Sequence, residues 1–402
     1  MTRYRFTTRP TFLLWVLFAV AIRIPNASAP LAMVFLGHGA TGTYASGGAI
    51  AAAFVIGEVA GSALLGWIGR DDRVRRDVTI GLIVGGIGFA VLASSSLVGY
   101  PALIIGAVLA GAGPAQSGGA LRAALGRIVA EVDLPRAYSI DSVLTELVWL
   151  IAPALVAFAA VAVSPYAVLI LNASLLGVAA VLALSRGGRL LAADDSATST
   201  QATSPRTALL SAWPVYLTSA AALSLLAVAE LVLPSLLVER GYNAGWSGAL
   251  LAVFAGASAL ASLIYGARRW PGTVRTQSFT LLIGTAAALA AMAFAPTVVL
   301  IGVALVLAGV FQAVVMITRN LTLRAELPTE QHTAGFTIMY SVQGAGYAAS
   351  AILASAVLDR SGAPAAIGAG IAVMAALTAV SIIGEAVRPV RRRSAAAAGG
   401  AQ

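Results

Sequence analysis

The chain has little charge, no cysteine and no lysine. Only 10% of its 402 residues are charged and 59% are hydrophobic, whereas a soluble domain has roughly 25% charged and 45–50% apolar residues. So few polar residues cannot cover a water-exposed surface, which excludes a soluble globular protein and indicates an integral membrane protein. The lack of cysteine also excludes disulfides, thiol catalysis and cysteine-based metal sites.

Histidine is scarce as well. His38 and His332 are the two histidines, and they fall in loops predicted at opposite membrane faces. We therefore expect both to be solvated loop residues, with no metal site and no cofactor. The net charge of +9 comes from arginines scattered between apolar runs, a distribution that argues against nucleic-acid binding.

Twelve apolar segments are long enough to cross a hydrocarbon core about 30 Å thick. Each must be a helix, because a backbone in lipid has no water with which to bond. We predict an all-α membrane protein with twelve transmembrane helices in two pseudo-symmetric six-helix bundles. The segments lie near residues 11–36, 46–68, 77–97, 100–125, 137–161, 164–184, 211–238, 246–266, 276–294, 298–321, 333–357 and 363–387.

One long polar segment divides the twelve helices into six and six. Residues 185–210 are rich in Ser, Thr, Ala and Asp and read as a flexible cytoplasmic linker. We expect an N-terminal bundle at 1–184, a C-terminal bundle at 211–387 and a basic, then Ala/Gly-rich cytoplasmic tail at 388–402.

Arginine placement predicts the orientation in the membrane. Most arginines fall in the loops of one side, and only Arg240 and Arg360 fall in those of the other. The positive-inside rule then places both termini in the cytoplasm. We expect a monomeric multi-pass protein of the inner (cytoplasmic) membrane.

The first apolar run carries an arginine and two prolines in its stretch AIRIPNASAP, residues 21–30. Residues 1–29 resemble a signal peptide, with a basic start and a small-residue triplet at the end. However, Arg23 interrupts the apolar core, and Pro30 would directly follow the cleaved bond. We therefore favour a retained spanning helix with a polar centre.

An internal repeat relates the two halves at an offset of about 200 residues. Phe54 corresponds to Phe254, within a run of matching small residues, and Arg122 corresponds to Arg319. Repeats of this kind place a binding cavity between the halves, near the bilayer midplane.

Twelve helices in two repeated halves, a long linker and cytoplasmic termini resemble the major facilitator superfamily across the whole chain. GWIGRDDRVRR, residues 66–76, stands where that family carries Gly-x-x-x-Asp-Arg-x-Gly-Arg-Arg, with Val74 in place of the second glycine. The segments 137–156 and 229–268 look like a bacterial, actinobacterial-like branch regarded as exporters. The family's arginine in helix 4, expected near Val108, is absent.

The resemblance implies that helices 1, 4, 7 and 10 line the cavity, with helices 2, 5, 8 and 11 beside them. Arg23 would then face the cavity near Glu58 and Glu146, all three roughly 14–18 Å into their helices. One cation cannot neutralise two carboxylates, so one acid stays free to carry a proton. Arg23 would be its counter-charge or would hold an anionic substrate group. The alternative is a purely structural buried ion pair or triad.

The candidate residues fall into three sets. Proton-coupling candidates are Glu146, Glu58 and Asp141. Substrate-cavity candidates are Arg23, Asn26, Glu230, Gln116, Gln312 and Gln343. Inner-gate candidates are Asp71, Asp72, Arg75, Arg76, Arg122 and Arg319. For the gate set, ordinary interfacial charges and structural salt bridges are the competing interpretation.

We therefore expect a secondary transporter that moves a small organic molecule by alternating access, outward in exchange for protons. Its partners would be the small-molecule substrate, protons and the lipid bilayer. The chain has no Gly-x-x-x-x-Gly-Lys-Ser/Thr loop, so ATP is not the fuel. Proton symport or uniport uptake and lipid flipping use the same fold and stay open. An intramembrane enzyme is disfavoured, because no cysteine, midplane histidine or paired aspartate motif is present.

Overall fold

The computed structural model describes residues 6–41, 44–69, 73–191 and 207–386. Within these ranges the chain forms twelve long helices, which agree with the predicted segments to within a few residues at most ends. They are α1 (Pro10–Thr41), α2 (Tyr44–Ile68), α3 (Val74–Ala93), α4 (Tyr100–Ile128), α5 (Leu134–Ala162), α6 (Pro165–Leu184), α7 (Trp213–Glu239), α8 (Trp246–Ala267), α9 (Val274–Phe294), α10 (Val298–Glu326), α11 (332–361) and α12 (363–386).

Ten segments of the described ranges are long and apolar enough to cross a membrane, and the last of them is α11 together with α12. The remaining long helix, α5, has 29 residues. A short 3₁₀ turn at Gly113–Gln116 interrupts α4. The predicted all-α membrane fold is therefore confirmed.

Local sequence explains where several helices begin. Ser164 caps α6 and Thr297 caps α10, and each side chain accepts a hydrogen bond from a free backbone N–H of the first turn. Pro165 and Pro214 occupy first-turn positions, where a missing N–H costs nothing. By contrast, Pro25 lies inside α1, and the helix continues through it.

α11 and α12 are joined without a loop. Gly362 has a φ of 80°, a left-handed conformation that suits glycine, and it turns the chain between the two helices. The backbone N–H of Ala363 donates to Oε1 of Glu239 at 2.7 Å. The end of α7 is thereby tied to the start of α12.

The helices pack in two groups. In the N-terminal group, α1 contacts α2, α5 and α6, while α3 contacts α4 and α6. In the C-terminal group, α7 packs along the continuous α11–α12 element, and α10 contacts α8 and α9. The groups meet where α2 and the second half of α4 contact α11, and where α5 contacts α8 and α10.

The same close contact occurs in both groups at the repeated phenylalanines. A Cβ added at Gly309 of α10 would lie 2.6 Å from the carbonyl oxygen of Phe254 on α8. A Cβ added at Gly111 of α4 would overlap the carbonyl oxygen of Phe54 on α2. Small residues let helices in lipid approach this closely. The internal repeat seen in the sequence is therefore a repeat of packing.

Successive helices reverse direction, so one end of the structure carries the α6–α7 connection. We call it the linker end. The first residues of the predicted linker are packed there: Leu191 is buried, and Arg127 at the end of α4 donates to the carbonyl oxygens of Leu190 and Leu191. Residues 192–206 and the predicted tail lie outside the described residues.

Candidate functional site

Three charged side chains from three helices form one cluster in the N-terminal group. Arg23 of α1 makes an ion pair with Oδ1 of Asp141 on α5, and it also donates to the backbone carbonyl of Asp141 at 3.4 Å. Arg122 of α4 approaches Oδ2 of the same carboxylate at 3.4 Å. The side chain of Asp141 is 2% exposed and each arginine is 14% exposed. The carboxylate is thus neutralised on both oxygens.

The expected pairing of Arg23 with Glu58 or Glu146 is wrong, because Arg23 pairs with Asp141. Side chains on a helix lean toward its N-terminus, and α1 starts at the linker end. The guanidinium accordingly lies 6.0 Å from the ring of Trp15, two turns nearer that end. Glu58 is on α2, which runs in the opposite direction, so its side chain leans away from that of Arg23.

Glu58 is held by neutral donors instead. Its Oε1 accepts a hydrogen bond from Nδ2 of Asn26 on α1 at 3.0 Å and another from the hydroxyl of Tyr340 on α11 at 2.9 Å. Among the described residues no arginine makes an ion pair with this carboxyl. Because Tyr340 belongs to the C-terminal group, Glu58 also links the two groups.

A second pair of acids lies across the two groups. Glu146 of α5 and Glu230 of α7 are close enough to act on each other electrostatically. The hydroxyl of Tyr347 on α11 donates to Oε2 of Glu230 at 2.8 Å. Neither glutamate has an arginine partner in the described part of the chain. Two carboxyls without a cation can take up a proton or a positively charged group.

The glutamines predicted to line the cavity divide into two kinds. Gln312 donates to the carbonyl oxygen of Ala222 at 2.9 Å and so joins α10 to α7 within the C-terminal group. Gln116 is 2% exposed in the 3₁₀ turn of α4, beside the end of α2. Gln343 is buried on α11, one turn after Tyr340 and one turn before Tyr347. Gln343 therefore shares a helix face with the donors to the acids.

Several inner-gate candidates contact neighbours in their own group. Arg75 donates to the carbonyls of Ala183, Leu184 and Ser185 and so caps the end of α6. Exposed Arg76 pairs with Asp77 at 3.1 Å.

The two remaining gate candidates with described contacts are also local. Arg319 is buried between α9 and α10, where it donates to Ser278 at 2.7 Å and stacks on Phe279. Arg122 contacts Asp141, as described above. Asp71 and Asp72 lie outside the described residues.

Contacts between the two groups at the linker end use glycines of α2 and α4. A Cβ at Gly66 of α2 would lie 2.7 Å from the side chain of Ile338 on α11. A Cβ at Gly119 of α4 would lie 2.8 Å from the backbone N of Thr337 on α11. The linker end is therefore closed by close helix packing.

Tyr340 and Tyr347 carry no charge, and the sequence did not predict them as partners of the acids. Their spacing of seven residues, with Gln343 between them, places them on one helix face and could have indicated a polar stripe. His332, expected in a solvated loop, is 5% exposed at the start of α11.

An apolar groove of about 510 Å³ lies between α8, α9 and α10. Leu260, Ile264, Trp270 and Phe311 are among its lining residues, and none of the acidic site residues lines it. The groove is separate from the acids.

The comparisons with known proteins agree with this architecture. The family model of the Major Facilitator Superfamily matches residues 11–335. The chain belongs to the major facilitator superfamily. It is therefore a multi-pass membrane protein and a secondary transporter of small solutes, not an enzyme. No curated protein matches the chain in sequence.

Solved structures show the same fold at low sequence identity. The human organic anion transporter MFSD10 (TETRAN) is 17% identical, with a TM-score of 0.71 over 93% of this chain and 100% of that one. FucP in the outward conformation is 15% identical, with a TM-score of 0.72 over 94% and 99%. The proton:xylose symporter XylE is 10% identical, with a TM-score of 0.70 over 94% and 96%.

Proposed function

We propose that this transporter exchanges protons for a small organic solute and that Glu58, Glu146 and Glu230 bind the exchanged species. The proposal rests on the surroundings of Glu58. This side chain has hydrogen-bond donors from both groups but no ion pair with a described arginine. An ionised carboxylate at membrane depth costs several kcal/mol unless it is paired or wetted. Binding a proton or a donor group of the solute removes that cost.

The proton and the solute compete for the same carboxyls, and this competition couples the movement of one across the membrane to the movement of the other. A carboxyl that holds a proton cannot also hold a cationic group, so the solute and the proton exclude each other. Because Tyr340 of α11 bonds to Glu58 of α2, a change in charge at Glu58 also changes a contact between the groups. Ligands that bind two conformations differently shift the equilibrium between them.

Asp141 is a weaker coupling candidate than the three glutamates. Its carboxylate already has two guanidinium partners, so protonation would leave two buried cations uncompensated. We propose that Arg23, Arg122 and Asp141 form a structural cluster beside the site. Arg23, being paired, is then not available for an anionic substrate group.

The test is transport by purified protein in proteoliposomes with an imposed pH gradient, over a panel of cationic and neutral solutes. We expect Glu58→Gln and Glu146→Gln to lower pH-driven flux by at least about tenfold. Exchange of labelled for unlabelled solute should fall as well for a cationic solute, because the same carboxyls bind it. For a neutral solute this exchange, which needs no net proton movement, should persist. Glu131→Gln, at an exposed residue of the 3₁₀ turn between α4 and α5, is the matched control. Undiminished pH-driven flux in both site variants would refute the proposal.

The direction we propose is export, because exchange against the inward proton gradient drives the solute outward. Uptake by symport is the second candidate, since XylE is described as a proton symporter. Everted vesicles distinguish the two: acidifying the lumen drives accumulation by exchange and depletion by symport. Movement of a labelled phospholipid between leaflets would instead indicate a flippase.

We also propose that residues 1–184 and 211–387 are the two bundles that rock against each other around the acids. The linker 185–210 and the tail 388–402 would lie in the cytoplasm, as the arginine distribution predicts. Single cysteines can be introduced at Ser96 and at Thr273, which lie at opposite ends of the structure. In intact cells an impermeant maleimide should label only Ser96→Cys. Labelling of Thr273→Cys alone would show that the protein has the opposite orientation.

A further inference from the structure

Gly126, Arg324 and His332 connect the two groups at the linker end. Arg324, in the last turn of α10, donates through Nη2 to the carbonyl oxygen of Gly126 on α4 at 3.2 Å. Its Nη1 lies 3.3 Å from Nδ1 of His332, the first residue of α11. One guanidinium thus bridges α4 of the N-terminal group and α11 of the C-terminal group.

The contact between Arg324 and His332 requires one particular protonation state of the imidazole. Its Nε2 lies 3.0 Å from the carbonyl oxygen of Arg324 and 3.1 Å from that of Leu327. Carbonyl oxygens only accept, so Nε2 carries the hydrogen; a guanidinium only donates, so Nδ1 must offer its lone pair. The imidazole is therefore neutral while it holds Arg324.

Gly126 provides the space in which the guanidinium lies. The three atoms nearest to a Cβ added at Gly126 all belong to the guanidinium of Arg324, and Nη2 would be 2.6 Å away. Gly118, two turns earlier on α4, offers a contrast, because a Cβ there meets nothing within 4 Å. A methyl group at position 126 would therefore displace Arg324 selectively.

We propose that Gly126, Arg324 and His332 form a latch that holds the linker end closed and that opens when His332 takes up a proton. A protonated imidazole donates at both nitrogens and cannot accept from Arg324. Its charge would also repel Arg324 of α10 and Arg127 of α4, which both act on the imidazole electrostatically. Tyr138 of α5 adds a hydroxyl beside Arg324. The inference rests on the alternating opening proposed above.

The natural lack of cysteine permits a direct test. Thr337 of α11 is fully buried and packs against Gly119 of α4, so a Thr337→Cys thiol becomes accessible only when the linker end opens. Its rate of reaction with a maleimide is measured in purified protein. It is divided by the rate for Ser96→Cys, an exposed position, at the same pH. This ratio corrects for the loss of reactive thiolate that acid causes at both positions.

At about pH 7.5 we expect Gly126→Ala to raise the normalised labelling rate about tenfold, as a shift in the population of open molecules. Gly118→Ala should leave it unchanged. Acidification to about pH 5.5 should raise the rate several-fold in the parent protein. His332→Asn keeps an acceptor oxygen but cannot be protonated, so its labelling should stay slow at both pH values.

Two results would overturn the latch: equal rates for the Gly126→Ala and Gly118→Ala variants, or an acid response that persists in His332→Asn. Should Gly126→Ala fail to fold, Arg324→Gln replaces it, with the same expected rise. Labelling needs neither solute nor proton gradient. Failure of the latch and failure of proton-coupled transport are therefore measured separately.

Discussion

Asp141 and Glu58 are two acids of the N-terminal group with opposite surroundings. Asp141 is held between Arg23 and Arg122, whereas Glu58 receives hydrogen bonds only from the neutral donors Asn26 and Tyr340 among its described contacts. A buried carboxylate with cationic partners contributes to the structure but changes its charge with difficulty. A carboxyl with neutral partners can change its charge at little structural cost, as a coupling residue must.

The largest effect should come from Asp141→Asn. Removing one partner of a buried ion pair leaves uncompensated charge and costs about 3–5 kcal/mol, and here two arginines lose their counter-charge. We expect a large fall in melting temperature in detergent and a low yield of monodisperse protein. The double variant Arg23→Gln/Asp141→Asn should recover part of the loss. Parental stability of Asp141→Asn would contradict the role assigned to the cluster.

A smaller loss is expected for Arg122→Gln. Asp141 keeps Arg23, so only the longer, 3.4 Å contact disappears, and a charged hydrogen bond contributes about 1.5–3 kcal/mol at most. Thermal unfolding in the same detergent should place this variant between Asp141→Asn and the parent protein. If Arg122→Gln is the less stable of the two variants, Arg122 has a further role outside the cluster.

Tyr340→Phe should cost about 1 kcal/mol, the usual contribution of one hydrogen bond. The informative measurement is the coupling energy between Tyr340 and Glu58 in a double-mutant cycle with Glu58→Ala, which removes the acceptor. Tyr347→Phe is the matched control, because it removes the equivalent bond to Glu230. Additive effects of Tyr340→Phe and Glu58→Ala on stability would mean that the bond between α11 and α2 contributes nothing.

The smallest effect on stability is expected for Glu58→Gln. An amide oxygen still accepts from Asn26 and Tyr340, and the change removes any cost of a buried charge. We expect a change within about 0.5 kcal/mol, together with the loss of pH-driven transport proposed above. A loss of stability as large as that of Asp141→Asn would show that Glu58 has an ionic role.

The helices could be predicted because their signals are local. Apolar runs separated by short polar stretches set the bounds, and residues such as Ser164 and Thr297 stand at the cap positions where helices start. The sequence predicts a break between helices 11 and 12 beside Gly362, but it does not predict that the two helices are joined without a loop.

The pairing of charges could be predicted only in part. Residue number gives the depth of a residue along its helix, and this depth is the same for Arg23 and Glu58. Which carboxyl Arg23 reaches depends on the lean of its side chain toward the start of α1 and on the rotation of α5, and only packing fixes the latter.

The repeat likewise conserves position but not partners. Arg122 meets an acid on α5, whereas the corresponding Arg319 meets Ser278 on α9. The equivalent packing of Phe54 and Phe254 shows that the framework is shared between the groups. The side-chain contacts on that framework differ between the two groups. The role of a residue in one group therefore does not predict the role of the corresponding residue in the other.

The bond from Ala363 to Glu239 has a mechanical consequence. Because it ties the end of α7 to the start of α12, we expect these two helix ends to move together in the alternating opening proposed above. A displacement of α7 would then also displace α12. α12 exposes Ile382 and Ile383, so the bilayer that covers these side chains would have to yield to that displacement, and its stiffness would enter the energetics of the cycle.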